Sequence, residues 1–205
     1  MTVARPLFLV RRHGVSIRRR WLCLALLAPL HGMALPALDA DAVHVERRGE
    51  VFDIDLVMHT PVAPALAWDV LTDFDHLVGI VPNLSRSQIV QRNGAVWTVS
   101  QAGVAHWGPF SLSFESVREL RLTPQREIRA HALSGTARRM DSLMQLEPEP
   151  EGTRLHYHAE VEPGGLLLPG LLPSALRHET AEQFQALLDE MARRARAGTP
   201  PRAGM

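Results

Sequence analysis

The chain has 205 residues, 46% hydrophobic and 21% charged, values that suggest a single globular domain. Its formal net charge is zero, yet positions 1–34 hold six arginines and no acidic residue, so the remainder is net acidic. Every basic residue is Arg, and a mildly acidic domain lacks the basic face that nucleic-acid binding requires, which excludes that class of partner.

The first element is a leader. Arg18, Arg19 and Arg20 precede an apolar run at 21–30, the order of a signal peptide. The run is shorter than the ~20 apolar residues of a membrane span. Two small-residue patterns, Gly32-Met33-Ala34 and Ala40-Asp41-Ala42, each fit a cleavage point, so the leader is taken as 1–42 with cleavage near 34 or 42. The alternative is an uncleaved anchor in the inner membrane. Cys23, the single cysteine, lies inside the leader, which leaves the mature chain without a thiol for a disulfide, a thiolate metal site or a nucleophile. Export to the periplasm is the expectation.

Positions 43–50 are polar and read as a linker. Positions 51–59 alternate, with Phe52, Ile54, Leu56 and Met58 on one face and Asp53 and Asp55 on the other, which predicts a strand. Pro64 opens a short helix in which Leu66, Ala67, Val70 and Leu71 recur at helical spacing, and a second short helical segment runs over 73–79. From 85 the period changes to two. Strands are predicted at 85–92, 95–106, 110–122, 127–133, 138–147 and 154–162, separated by Asn93-Gly94, Gly108-Pro109, Thr123-Pro124, Ser134-Gly135 and an acidic turn at 148–152. Leu172, Leu176, Thr180, Phe184, Leu187, Leu188, Met191 and Ala195 then recur at spacings of three and four, predicting an amphipathic helix over 171–195, roughly 35 Å long. Positions 197–205 read as a disordered tail. The expected fold class is α+β: a curved antiparallel sheet of about seven strands wrapped around the C-terminal helix, with two short helices after the first strand.

The segment 67–90, with Asp73-Phe74 and the Val81-Pro82-Asn83 entry into the sheet, resembles the START-like superfamily with the helix-grip fold. It is most similar to the polyketide cyclase/dehydrase and lipid-transport group, including its coenzyme Q-binding branch. The Leu168-Pro169-Gly170-Leu171-Leu172-Pro173 lead into the long helix adds to the likeness, which covers about residues 50–195. The resemblance implies a START-like domain over 51–196 with a deep hydrophobic cavity between sheet and helix. Members range from lipid carriers to aromatic-ring cyclases, so fold alone does not settle function.

Candidate ligand-binding residues are Trp97, Phe110, Phe114, Met140, Met144, Tyr157, Leu167, Leu168, Thr180 and Phe184. The aromatics spread over elements that converge, and serve either as ordinary core or as walls of a pocket for a flat or greasy ligand. Met140 and Met144 share a face with Ser142 and suit an adaptable apolar wall. Three leucines between flexible residues at 164–170 either tuck under the start of the long helix or form a lid, a portal or an edge in peripheral contact with a membrane. His156 and His158 sit at the spacing of a metal pair, but on the face opposite Tyr157, so no metal is expected. No nucleophile–base arrangement or phosphate loop stands out, so no catalytic residue and no cofactor is assigned. The expected function is binding or transport of a hydrophobic small molecule: a lipid, quinone or polyketide-like compound. One alternative is a cyclase/dehydrase-type enzyme using an inward Arg129, His131 or Tyr157; the other is an envelope interaction module built on the 164–170 loop.

Overall fold

The structure, a computed structural model, describes residues 37–107, 110–164 and 172–198, and the side chains of all of these except Trp107 and Phe110. The chain divides into two units, 1–34 and 35–205, and only the second falls among described residues. Positions 1–36 of the expected leader and 199–205 of the expected tail lie outside them, whereas 37–42 and 197–198 fall within the folded unit.

Period-two alternation produces eight strands: β1 (His44–Arg48), β2 (Val51–Thr60), β3 (Leu84–Asn93), β4 (Val96–Trp107), β5 (Phe110–Thr123), β6 (Glu127–Gly135), β7 (Ala137–Glu149) and β8 (Gly152–Pro163). They form one antiparallel sheet in the order β1-β2-β8-β7-β6-β5-β4-β3. Strands β2 and β3 are consecutive in sequence but lie toward opposite edges, so their connection must cross the sheet. It carries α1 (Pro64–Leu71) and a short 3-10 turn at Phe74–His76. The long helix α2 (Leu172–Gly198) closes the concave face. No helix among the described residues is long and apolar enough to cross a membrane.

The inward residues of the strands are those the alternation predicts. Phe52, Ile54, Leu56 and Met58 of β2 are buried, as are Leu155 and Ala159 of β8, and they meet Phe184, Leu187, Leu188 and Met191 of α2. Burying such side chains contributes about 1.5–3 kcal/mol each, which is what holds a helix of this length against the sheet. The far end of α2 is fixed differently. Glu190 accepts from Arg193 and Arg194, each at 2.6 Å, and Arg194 reaches across at 2.6 Å to Asp73, just before the 3-10 turn. The helix is thereby tied to the connection that crosses the sheet.

Three expectations change. The 43–50 stretch is not a linker: His44–Arg48 forms edge strand β1, and Gly49 makes the turn into β2 at φ +68°. Only Val45 of those five residues is buried, so no alternation was visible. The strand total is therefore eight. Asp53, expected on a wet face, is buried and paired with Arg48 at 3.1 Å, because β1 covers it. The helical segment predicted over 73–79 shrinks to the 3-10 turn, after which tight turns lead through Leu77–Val81.

Candidate functional site

Between the concave face and α2 lies a cavity of about 610 Å³. Its cause is visible in the inward positions of β6, where Ile128 is followed by the small Ala130, Ala132 and Ser134. Ser116 on β5 and Ser142 on β7 flank them, so the middle of the sheet holds back from the helix. A cavity of this size is within the usual range for small-molecule sites.

Six of the ten sequence-predicted residues line it: Phe114, Met140, Met144, Tyr157, Thr180 and Phe184. The Tyr157 and Phe184 rings meet at 4.7 Å between centroids, tilted by 55°, and form one wall rather than a plug. Trp97 is not among the lining residues. It sits near the β3–β4 turn, under the Arg92 guanidinium at 4.9 Å, with its indole N–H donating to the Gly94 carbonyl at 3.2 Å. The Phe110 side chain and Leu167 and Leu168 lie outside the described residues.

Arg129 and His131 point away from the cavity. Arg129 pairs with Glu127 at 2.6 Å and His131 with Asp141 at 2.6 Å, both on the outer face. Of the three side chains on which catalysis was made to depend, only Tyr157 is inside. His156 and His158 are also outward, sharing Asp55 at 2.9 and 3.5 Å. Asp53, His158 and Glu160 bring potential ligand atoms within 4.8 Å of one another. Arg48 already neutralises Asp53, and Arg139 lies 3.1 Å from Glu160, so that cluster is charge-paired without an ion.

The residue missed by sequence reasoning is Arg118. Phe110, Leu112 and Phe114 mark the inner face of β5, and two more steps of period two reach Ser116 and Arg118; the signal was present. Arg118 lines the cavity and one Nη donates to the Gln101 side-chain carbonyl, whose amide donates in turn to Ser87 at 3.0 Å. Its Nε makes no hydrogen bond. Its accessible surface is intermediate although protein encloses the guanidinium, because what remains open faces the cavity. Burial pushes its pKa down, with Tyr157 opposing the shift. A guanidinium starts so high that it stays charged regardless. Burial pushes the Tyr157 phenol up, against the Arg118 charge and a hydrogen bond with Ser142, so it is a neutral donor at physiological pH.

A second polar post stands on α2. Glu179 lines the cavity and accepts from the Asn83 amide at 2.5 Å; burial, the largest influence, raises its pKa. Asn83 is held in place because Gly103 of β4 lets its backbone come close. A Cβ on Gly103 would lie 1.9 Å from the Asn83 carbonyl oxygen and 2.8 Å from the Phe114 ring. Gly103→Ala is expected to lose about 1–2 kcal/mol of stability by this overpacking. Urea denaturation measures it, and a midpoint equal to wild type would show that the contact is not confining.

A coiled antiparallel sheet gripping one long C-terminal helix around an apolar cavity defines a protein of the START-like, helix-grip class. Residues 60–188 match the family model described as polyketide cyclase / dehydrase and lipid transport, and the chain belongs to that family. Solved structures share the fold. They include the Zhui aromatase/cyclase from Streptomyces sp. R1128, at 17% identity over 73% of this chain and 99% of that one, with TM-score 0.63. The STAR-related lipid transfer protein from Xanthomonas axonopodis is 14% identical over 74% and 99%, with TM-score 0.60. A START superfamily protein from Mycobacterium smegmatis is 11% identical over 69% and 97%, with TM-score 0.59. At such identities the likeness is one of fold, and it does not single out a coenzyme Q-binding branch. No curated protein matches the sequence.

Proposed function

We propose that the protein binds a hydrophobic small molecule between the sheet and α2 and carries it in the periplasm. The observation that supports this reading most is the cavity itself, about 610 Å³ with small residues at its centre and Met140, Met144 and Phe184 around it. Burying about 300 Å² of apolar ligand at ~25 cal/mol/Å² gives roughly 7 kcal/mol gross. Ordering costs reduce that toward micromolar affinity, sufficient for a carrier. Titration with a neutral polarity-sensitive fluorophore, together with solvent extraction of native protein and mass spectrometry, tests it. The reading fails if no probe binds and no apolar compound co-purifies.

A cyclase/dehydrase reading is kept alive by one observation, the Tyr157 phenol inside the cavity near Arg118. Tyr157→Phe separates the two: a carrier keeps its ligand affinity within about threefold, and an enzyme loses turnover. The interaction-module reading rests on the 164–170 loop, of which 165–170 lie outside the described residues.

Export is part of the proposal, on the strength of the arginine cluster and apolar run at 18–30. Of the two cleavage points the first is favoured. The Leu38 backbone N–H donates to the Gln185 side chain of α2 at 2.6 Å, and Val43 is only 1% exposed, so residues 38–43 belong to the folded unit. Cleavage after Ala34 preserves them, whereas cleavage after Ala42 removes the Leu38 contact. Intact-mass analysis of the periplasmic form is expected to give a chain starting at Leu35; a start at Val43 would contradict this.

A further inference from the structure

The chain places a positive charge inside its cavity, and neither carboxylate that lines the cavity, Glu115 or Glu179, pairs with it. All Asp and Glu residues lie between positions 39 and 190, and each of them is among the described residues. None forms an ion pair with Arg118. Several arginines on the surface find partners: Arg139 reaches Asp141 at 2.8 Å and Arg154 reaches Glu147 at 2.7 Å. The enclosed one has a single neutral partner, Gln101, and an Nε with none. Glu179, the carboxyl group of α2 that also lines the cavity, gives one oxygen to Asn83, leaves the other without a partner and does not reach Arg118. A buried charge lacking both a counter-ion and its full hydrogen bonds is costly, and proteins seldom hold one unless something arrives to pair it.

We infer that the bound molecule is a monoanionic amphiphile, a carboxylate on a long apolar body, whose head group pairs with the Arg118 guanidinium. The inference rests on the proposed binding function and specifies its ligand. A neutral carbonyl would satisfy the hydrogen bond and leave the charge uncompensated; a carboxylate supplies both. A phosphate monoester would bring a second negative charge. The cavity offers no second cation for it, because Arg118 is the only basic residue lining it among the described residues. The neutral Tyr157 and Ser142 hydroxyls lie in the same cavity and can donate to the other carboxylate oxygen. The apolar body then runs along Met140, Met144 and Phe184.

The test is displacement of a neutral fluorophore from the full chain at neutral pH by hexadecanoate, methyl hexadecanoate and hexadecyl phosphate. Hexadecanoate is expected to bind at least about tenfold more tightly than its methyl ester, the scale of a charge-assisted hydrogen bond. It is also expected to bind more tightly than hexadecyl phosphate. In Arg118→Met the advantage of the acid over the ester is lost, and the melting temperature of the unliganded protein rises because an unpaired charge has been removed. Equal binding of acid and ester to the native protein, with the fluorophore still displaced, would overturn the carboxylate inference and leave the binding function standing. Preference for hexadecyl phosphate would overturn the choice of head group. Failure of the native protein to bind the fluorophore or any of the three would bring down the binding function, and this inference with it. The comparison on native protein needs no variant, so it stands even if Arg118→Met fails to fold.

Discussion

Thr180→Trp is expected to weaken binding of a neutral apolar probe by about 100-fold while the protein stays folded. Thr180 is 9% exposed, lies in the first half of α2 and faces the cavity from the helix side. An indole there occupies space that a ligand would otherwise fill. Denying a ligand about 120 Å² of contact at ~25 cal/mol/Å² removes about 3 kcal/mol, the stated loss in affinity. Because the substitution fills existing space, the overpacking strain of a dense core is relieved, and a melting temperature at or above that of wild type is expected. Fluorescence titration and thermal denaturation on the same samples read both effects. Unchanged binding in a folded variant would show that the ligand sits elsewhere.

Acid is expected to loosen the far end of α2, with Glu190 as the main cause. Its carboxyl group, 8% exposed, is held down to about 2 by hydrogen bonds from Arg193 and Arg194, with burial opposing them. The folded pKa lies below the unfolded one of about 4.5. The stability it contributes is therefore complete above about pH 4.5, declines as pH falls, and is gone below about pH 2. A shift of that size has a ceiling of about 3 kcal/mol, reduced because Arg193 is 62% exposed and screened by solvent. Asp73 acts in the same direction: burial pushes it up, but His76 and Arg194 outweigh burial and leave it lowered. Glu190→Gln is expected to cost about 2 kcal/mol at neutral pH and to flatten the decline between pH 4.5 and 2. Urea denaturation across that range measures it. A variant whose stability falls in parallel with wild type would show that Glu190 is not the group responsible.

Much of the fold was legible because strand and helix periods are local properties. The alternation at 51–59 and 154–162 and the three-four spacing at 172–195 each selected the face that is in fact buried. Asn93-Gly94 located its hairpin for the same reason: Gly94 takes φ +56°, a conformation open to glycine. Strand β1 was not legible, since Val43 and Val45 give only one step of alternation before the charged run at 46–48, and its pairing comes entirely from β2. The aromatic candidates divide in a similar way. Phe114, Tyr157 and Phe184 reach the cavity, while Trp97, of the same chemical type, sits by a turn stacked under Arg92.

Arg118 marks the boundary between the two kinds of knowledge. Its place on the inner face of β5 follows from counting by two along the strand, as does the outward placing of Arg129 and His131 on β6. The sequence by itself thus determined which residues face the helix and which face water. Whether small side chains on β5, β6 and β7 coincide to leave a cavity, and whether any carboxylate reaches the charge inside it, depends on strand register, sheet curvature and the standoff of α2. Those are sums over contacts between residues far apart in the chain. Only the tertiary structure could show that Arg118 is enclosed without a counter-ion, because pairing depends on where every acidic residue ends up in space.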